Sequence, residues 1–258
     1  MSSEPAMLEA LGIRLAFGGV RAVDGVDLRV GEREIAALIG PNGAGKTSLF
    51  NALTGFFYPD AGTVRFRGED ITRLPNWRRI RKGIGRTFQS PSTFAEMSVA
   101  ENLTIGLQLS TGLALSLRPP RAAQRREIEA RLEELLGFVQ LERLRDRQVG
   151  ELSHGDQRLV EIALSLSTSP SLIMLDEPTA GLAESDTTRI MSVVRDLHDR
   201  LGLTVLFVEH NMRFVAALAD TVTVMDRGRL LCNGPTSVVL KDQRVRDAYL
   251  GAEESVRA

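Results

Sequence analysis

The chain has 258 residues, of which 43% are hydrophobic and 25% are charged, enough for one large domain with its own core. Its formal net charge of −1 argues against a partner held by overall charge, such as duplex DNA. The single cysteine, Cys232, excludes an internal disulfide and is expected to be a small strand residue. We expect neither a secretory signal in the acidic residues 1–10 nor a membrane span, because the sequence lacks a run of about 18 apolar residues.

The N-terminal part of the chain is typical of strands and turns. Short alternating or apolar runs fill residues 8–39, and the last of them is Ile35 to Ile39. A further strand, Thr63 to Arg67, is predicted after an Asp60-Ala61-Gly62 turn. The glycines expected to separate the first runs are Gly18-Gly19, Gly25 and Gly31.

The segment Gly40 to Thr47, GPNGAGKT, predicts a triphosphate-binding loop between the strand ending at Ile39 and a helix from about Gly45 to Thr54. Its glycines let backbone N–H groups turn toward the phosphates, Lys46 would reach the β- and γ-phosphates, and Thr47 would ligate Mg²⁺. The residues expected to bind ATP here are Gly40, Pro41, Asn42, Gly43, Ala44, Gly45, Lys46, Thr47 and Ser48.

Beyond residue 90 the pattern becomes helical and then returns to strands. Residues 90–165 are predicted to form a mainly helical insertion. A later helix would begin at the N-cap Ser185 and end before Gly202, and Asp226-Arg227-Gly228 would turn between two strands of a closing hairpin. Strands separated by helices predict an α/β fold with a mainly parallel sheet covered on both faces. The buried helical positions expected are Ile128, Leu132, Leu135, Leu136, Ile190, Val193, Val194, Leu197 and Leu201, and the strands are 172–175, 204–208, 221–225 and 229–232.

Two adjacent carboxylates end the strand Leu172 to Leu175. Side chains of neighbouring strand residues diverge, so Asp176 and Glu177 are expected to have different roles. Asp176 would hold Mg²⁺, and Glu177 would polarise the water that attacks the γ-phosphate. An acidic turn after a strand is the alternative for this dipeptide in isolation, but the phosphate loop upstream favours an ATPase.

The segment Leu152-Ser153-His154-Gly155-Asp156 resembles the signature motif, usually LSGGQ, of ATP-binding cassette (ABC) ATPases. Phe17 matches the aromatic residue that stacks on adenine, Gln89 the Q-loop, and His210 the switch histidine of that family. With the phosphate loop and the paired carboxylates, six motifs occur in the family's order between about residues 7 and 251.

The resemblance implies a P-loop NTPase fold of ABC type, with a mainly parallel central sheet, an N-terminal antiparallel β subdomain and a helical insertion subdomain. The single nucleotide-binding domain, 1–258, would comprise the ATP-binding core and β subdomain (7–89 and 166–234), the helical signature subdomain (90–165) and a C-terminal tail (235–258). ATP would lie between two cassettes, where the phosphate loop of one meets Ser153 and Gly155 of the other. Glu177, His210 and Gln89 would be the catalytic residues, and Thr47, Gln89 and Asp176 the Mg²⁺ ligands.

The chain departs from the family pattern at two positions. Asp156 stands where glutamine is usual, and it would either accept a ribose hydroxyl, which we favour, or repel phosphate. Ala183, in the D-loop segment Ala180 to Ala183, replaces an aspartate that usually crosses the dimer interface, which would weaken communication between the two sites unless a non-identical partner supplies it.

Finer motifs are similar to those of the ATPase subunits of branched-chain amino acid importers and of their urea and short-amide relatives. They include Gly85 to Gln89, Glu101-Asn102-Leu103, Glu161-Ile162-Ala163, Glu209 to Met212 and Ala248 to Gly251. The resemblance implies a peripheral subunit on the cytoplasmic face of the plasma (inner) membrane, working with membrane permease subunits, a second ABC ATPase in a homo- or heterodimer and, indirectly, an extracytoplasmic solute-binding protein. Nucleic acid is not expected as a partner. The alternatives from other classes are a soluble ABC ATPase and a degenerate regulatory cassette that binds ATP without turnover.

Two segments near the Q-loop have alternative interpretations. The basic stretch Arg78, Arg79, Arg81 and Lys82, beside Trp77, is interpreted as a solvated helical face rather than a lipid or nucleic-acid contact. The apolar residues after the Q-loop either pack in the core or form a socket for a permease helix; they are Phe94, Met97 and Val99.

Overall fold

A computed structural model describes residues 6–87, 93–110 and 121–256, with side chains up to residue 249. Within these ranges the chain forms two compact units. One is built from the described parts of residues 1–79 and 203–258, and the other from those of residues 80–202. The boundaries drawn from the sequence for the helical subdomain, 90–165, and for the C-terminal tail stay predictions.

The strands of the first unit are β1 (Ala6–Phe17), β2 (Val20–Gly31), β3 (Ile35–Ile39), β4 (Ala61–Phe66), β5 (Glu69–Asp70), β8 (Thr204–Val208), β9 (Thr221–Asp226) and β10 (Arg229–Pro235). Its helices are α1 (Lys46–Thr54), α2 (Asn76–Arg81, which runs into the second unit), α7 (Met212–Leu218), α8 (Thr236–Val239) and α9 (Gln243–Val256). The second unit contains β6 (Ile84–Arg86), β7 (Leu172–Asp176), α3 (Val99–Ser110), α4 (Ala122–Val139), α5 (His154–Leu166) and α6 (Glu184–Leu201), with 3-10 turns at Glu142–Leu144 and Val149–Glu151.

The first unit has two sheets. An antiparallel sheet has the order β2-β1-β4-β5, and its β1–β2 hairpin turns at Gly18 and Gly19, whose φ angles of 52° and 89° suit a type I′ turn. In the other sheet β3 pairs in parallel with β8 and β9, and β10 pairs antiparallel with β9. All five residues of β3 are buried, as expected for a central strand covered on both faces. This arrangement agrees with the predicted α/β architecture.

The second unit is mainly helical, with β6 and β7 paired in parallel. The helical pattern predicted around Ile128 and Leu132 is confirmed by α4, whose buried side chains form one face. On α6 the predicted apolar face is buried from Ile190 to Leu197, but Leu201 is 40% exposed and its predicted burial is wrong. Leu201 is the last residue of α6, and the left-handed Gly202 ends the helix there as predicted.

Three local predictions need correction. Helix α6 has Ala183, not Ser185, as its N-cap, because the chain turns helical two residues earlier than predicted, at the acidic first-turn residue Glu184. Gly62 belongs to β4 rather than to a turn, since its backbone packs against β1 so closely that a Cβ would lie 2.6 Å from the Leu11 carbonyl oxygen. Gly25 lies inside β2 rather than at its end.

Arg79 also departs from its interpretation as part of a solvated face. Its side chain is only 1% exposed, and burial lowers the pKa of the guanidinium to about 10. Arg79 donates to the carbonyls of Ala52 and Leu53 at the C-terminal end of α1, at 2.8 and 2.7 Å. A cation there complements the negative end of the helix dipole, so Arg79 stabilises the helix that follows the phosphate loop.

In the part of the chain that the structure describes, no helix is both long enough and apolar enough to cross a membrane.

Candidate functional site

The predicted phosphate loop connects the end of β3 to α1. Glycine is required at its first residue, Gly40, where φ is 152° and a Cβ would lie 2.2 Å from the Met225 carbonyl oxygen. It is required again at Gly45, where φ is 93° and a Cβ would lie 2.1 Å from the Ala22 carbonyl oxygen. The loop therefore packs against two neighbouring strands through backbone alone, a contact that any side chain would prevent.

Lys46 opens α1 and points back over this loop. Its side chain is 7% exposed, and Nζ donates to the carbonyl oxygens of Gly40 at 2.7 Å and Pro41 at 3.0 Å. The first turn of α1 carries no acidic residue, and Gly45 offers no side-chain cap to its N–H groups. A buried ammonium beside uncapped N–H groups fits the phosphates of a nucleotide. Thr47 and Ser48 are half-buried in the same turn.

Phe17 lies at the end of β1, next to the Gly18-Gly19 turn. Its ring is 43% exposed and meets Phe57 edge to face, with 5.2 Å between ring centroids. Such an edge contact fixes the plane of a half-exposed ring. The geometry is compatible with the predicted stacking of Phe17 on adenine.

His210 follows the carboxyl end of β8, the strand paired in parallel with β3. Its side chain is exposed, but its backbone is fixed by the buried carboxylate of Glu209, which accepts from the N–H groups of His210 at 3.0 Å and Asn211 at 3.2 Å. Because the carboxyl ends of parallel strands meet at one edge of a sheet, the phosphate loop and His210 share that edge.

Tyr249 of α9 adds a contact to the phosphate loop that sequence reasoning missed. The Gly40 N–H donates to the Tyr249 hydroxyl oxygen at 2.8 Å. Burial raises the pKa of Tyr249 to about 12. Its position more than 200 residues from the loop leaves no local sequence signal for the contact.

Asp176, the last residue of β7, is fully buried. Its Oδ2 lies 3.4 Å from Nη2 of Arg86, while its Oδ1 has no hydrogen-bond partner among the described residues. Burial raises the pKa of this carboxyl, and the nearby Arg86 guanidinium opposes the shift. A buried carboxylate oxygen without a partner is costly, and a cation would satisfy it. No group of three or more His, Cys, Asp or Glu side chains suited to a metal occurs in the described ranges.

Glu177 follows directly and is half-buried. Its φ of 47° lies in the left-handed region, which is unfavourable for a residue with a Cβ. Backbone strain of this kind is common at functional sites, where the surrounding structure fixes one side-chain direction. Gln89, the third predicted catalytic residue, lies outside the described residues.

The signature segment forms the start of α5. Ser153 is exposed and caps the helix, accepting from the Asp156 N–H at 3.2 Å. Gly155 is buried against α6, where a Cβ would lie 2.5 Å from Cγ of Asp186. Glycine is thus needed for the two helices to approach, and Ser153 is left at the surface at the N-terminal end of α5.

Asp156 has partners that neither sequence alternative anticipates. Its Oδ2 accepts from the Ser153 hydroxyl at 2.8 Å, and its Oδ1 accepts from Nη1 of Arg189 on α6. Arg189 also donates to the Gln140 carbonyl oxygen at 2.6 Å. The carboxylate that replaces the usual glutamine therefore binds its own chain, where it joins the signature helix to α6. Ala183, in contrast, begins α6 without a side-chain cap.

A double-mutant cycle tests this role for Asp156. We expect Asp156→Asn and Arg189→Met each to lower the free energy of unfolding and to show a coupling of about 1 kcal/mol, because the ion pair is half-buried and each partner has a second hydrogen bond within the chain. ATP affinity should stay unchanged. The matched pair Arg147–Glu151, whose side chains are 59% and 55% exposed, should show coupling close to zero. Unchanged stability with weaker ATP binding would instead favour a contact to the ribose.

Comparison with known proteins places these motifs in a family. The family profile described as "ABC transporter" matches residues 23–180. The high-affinity branched-chain amino acid transport ATP-binding protein BraF of Pseudomonas aeruginosa is 40% identical over 249 residues, covering 95% of this chain and 98% of BraF. LivG of Salmonella typhimurium, with the same description, is 40% identical over 253 residues, covering 96% and 99%. The lipopolysaccharide export system ATP-binding protein LptB of Escherichia coli is 37% identical, covering 96% and 98%.

A solved structure of an ATP-binding cassette has the same fold. The crystal structure of the ADP conformation of an ATP-binding cassette from an ABC transporter is 36% identical, with a TM-score of 0.83, and the match covers 95% of this chain and 99% of that one. The predicted ABC-type P-loop fold is confirmed. The chain therefore belongs to the ABC transporter family, as one of its ATP-binding ATPase subunits.

Proposed function

We propose that this ATPase drives the import of branched-chain or other hydrophobic amino acids through separate membrane permease subunits. The observation that carries the proposal is the 40% identity, over at least 95% of the chain, to BraF and LivG, both named as branched-chain amino acid transport proteins. The subunit would sit peripherally at the cytoplasmic face of the plasma membrane and depend indirectly on an extracytoplasmic solute-binding protein.

In this proposal ATP is held between two cassettes, this chain and either a second copy or a related ABC ATPase. Three features support it. The phosphate loop carries a buried ammonium and uncapped N–H groups, the Phe17 ring is half-exposed, and Ser153 is exposed at the N-terminal end of α5. Ser153 and Gly155 of one cassette would face the γ-phosphate bound to the loop of the other, where the helix dipole favours negative charge.

The Mg²⁺ ion would be held by Asp176, the Thr47 hydroxyl, Gln89 and phosphate oxygens. The Asp176 Oδ1, buried and without a hydrogen-bond partner among the described residues, fits this use. When bound, the ion would neutralise charge on the transferring phosphate.

The hydrolytic step would use the chain's own groups in separate roles. Glu177 would polarise the attacking water, and its left-handed backbone fixes the direction of its carboxylate. His210 would contact the γ-phosphate from the end of β8, held by the Glu209 carboxylate. Gln89 would sense the occupied site and relay it to the residues that follow.

The segment after the Q-loop supports a docking role for Phe94. Phe94 is 57% exposed, Met97 is half-buried and Val99 is buried in the core. The buried Asn102 side chain organises this turn, accepting from the Phe94 N–H at 2.8 Å and donating to the Phe94 carbonyl at 3.0 Å. A fixed backbone that presents an exposed ring suits an apolar contact with a permease helix.

We expect Phe94→Glu to abolish co-purification with the membrane subunits, because a carboxylate buried in an apolar interface costs a few kcal/mol. ATP affinity and the free energy of unfolding of the isolated subunit should not change. Leu109→Glu is the matched control, since Leu109 is 58% exposed in the same unit, and it should leave assembly intact. Normal assembly of the Phe94 variant would remove this residue from the permease contact.

Uptake by cells that lack the chain tests the solute class. Loss of labelled leucine, isoleucine and valine uptake, restored by the wild-type chain, is the expected result. Loss of urea or short-amide uptake with normal leucine uptake would overturn the amino acid assignment while leaving the ATPase assignment in place.

A further inference from the structure

Arg158, on helix α5, holds three consecutive backbone carbonyls at the end of β7. Its Nη2 donates to the carbonyl oxygens of Asp176 at 3.2 Å and Glu177 at 2.6 Å, and its Nε donates to that of Pro178 at 3.3 Å. The side chain is only 14% exposed. One rigid guanidinium therefore spans the backbone of both carboxylate residues of the proposed site.

A second charge keeps Arg158 in place. Glu161, one helical turn later on α5, accepts from Nη1 of Arg158 at 2.7 Å and is 10% exposed. Burial raises the pKa of Glu161, and the Arg158 guanidinium opposes this shift. Because a buried guanidinium without a counter-charge is costly, Glu161 makes the position of Arg158 favourable.

The backbone that Arg158 contacts is strained. The left-handed conformation at Glu177, with φ of 47°, is unfavourable for a residue with a Cβ. Its carbonyl oxygen accepts from Arg158 on one side and from the Ala180 N–H at 3.2 Å on the other. These contacts hold the Glu177 carbonyl, and through it the direction in which the side chain leaves the chain.

We propose that Arg158 is a positioning residue that couples the signature helix to Glu177 of the same chain. Ser153 caps the N-terminus of α5, and Arg158 lies within the first turns of that rigid helix. A shift of α5 caused by the partner's nucleotide at Ser153 would thus move the Glu177 backbone directly. Binding of the partner's ATP at Ser153 would therefore change the position of Glu177, which acts on the ATP bound to this chain's own phosphate loop. The inference rests on the roles of Ser153 and Glu177 in the proposed function.

Arg158→Lys tests the coupling, because lysine keeps the charge beside Glu161 but cannot span several carbonyls. We expect kcat to fall about 10-fold to 100-fold, as for a misplacement of about 1 Å at a catalytic group. KM and the ATP affinity of the folded protein should change little, whereas the free energy of unfolding should fall because buried hydrogen bonds are lost. The matched control is Arg131→Lys, since Arg131 and Glu134 form an Arg–Glu pair at the same i,i+3 spacing with side chains 40% and 47% exposed. A fall in kcat that tracks the folded fraction, or a change confined to KM, would overturn the proposal.

The double variant Arg158→Lys/Glu177→Gln separates this inference from the proposed function. If Arg158 acts through Glu177, the double variant should hydrolyse ATP at the same residual rate as Glu177→Gln alone. Independent losses that multiply would overturn the coupling. Wild-type turnover by Glu177→Gln alone would instead overturn the assignment of Glu177, whatever Arg158 does.

Discussion

Glu177→Gln is expected to lower ATP turnover by about 10²-fold to 10⁴-fold, the range for loss of a general base. ATP affinity should persist, because the phosphate loop lies elsewhere in the chain and glutamine has the size of glutamate. The carbonyl contacts of residue 177 are backbone contacts, so the variant should keep the left-handed conformation. The expected product is a chain that binds ATP but cannot cleave it.

The prediction is checked by measuring steady-state ATP turnover, ATP affinity by titration, and dimer formation by size-exclusion chromatography with ATP and Mg²⁺. The variant should accumulate as an ATP-bound dimer, since hydrolysis no longer opens the two cassettes. Glu184→Gln, at the exposed start of α6, is the control and should turn over ATP normally. Turnover near the wild-type rate in Glu177→Gln would show that another group activates the water.

Lys46→Ala should weaken ATP binding about tenfold to a hundredfold, since a charge-assisted contact to phosphate oxygens contributes about 1.5 to 3 kcal/mol. The ammonium is buried over the loop and donates to the Gly40 and Pro41 carbonyls. It therefore lies beside the position proposed for the phosphates. Lys241→Ala, at an exposed position, removes the same charge and should leave ATP affinity unchanged. Unchanged affinity in Lys46→Ala would mean that ATP does not bind in this loop.

Much of the fold could be predicted because its signals are local. The strand Thr204 to Val208, the helix after the phosphate loop and the turn at Arg227-Gly228, with φ angles of 46° and 78°, each follow from a few neighbouring residues. The phosphate loop could also be predicted, because its glycine spacing is a local sequence pattern; in the structure only glycine tolerates the contacts at Gly40 and Gly45.

Other features depend on residues far apart in the chain, and their local patterns mislead. Arg79 belongs to a basic stretch that predicts a solvated face, yet it caps the carbonyls of a helix more than 20 residues upstream. Arg158 and Arg189 look like ordinary helix surface residues, whereas their long side chains reach the ends of other elements. The N-cap of α6 was missed because its residue, Ala183, has no capping side chain.

The central claim, that two cassettes complete each ATP site, can be tested by mixing two inactive chains. Lys46→Ala removes the phosphate loop's cation and Ser153→Arg obstructs the signature end of α5, so each variant alone should be nearly inactive. In an equimolar mixture about half of the dimers pair the two variants and have one intact site of two, which predicts about a quarter of the wild-type rate. A mixture as inactive as its components, under conditions in which the wild-type chain hydrolyses ATP, would contradict the shared site.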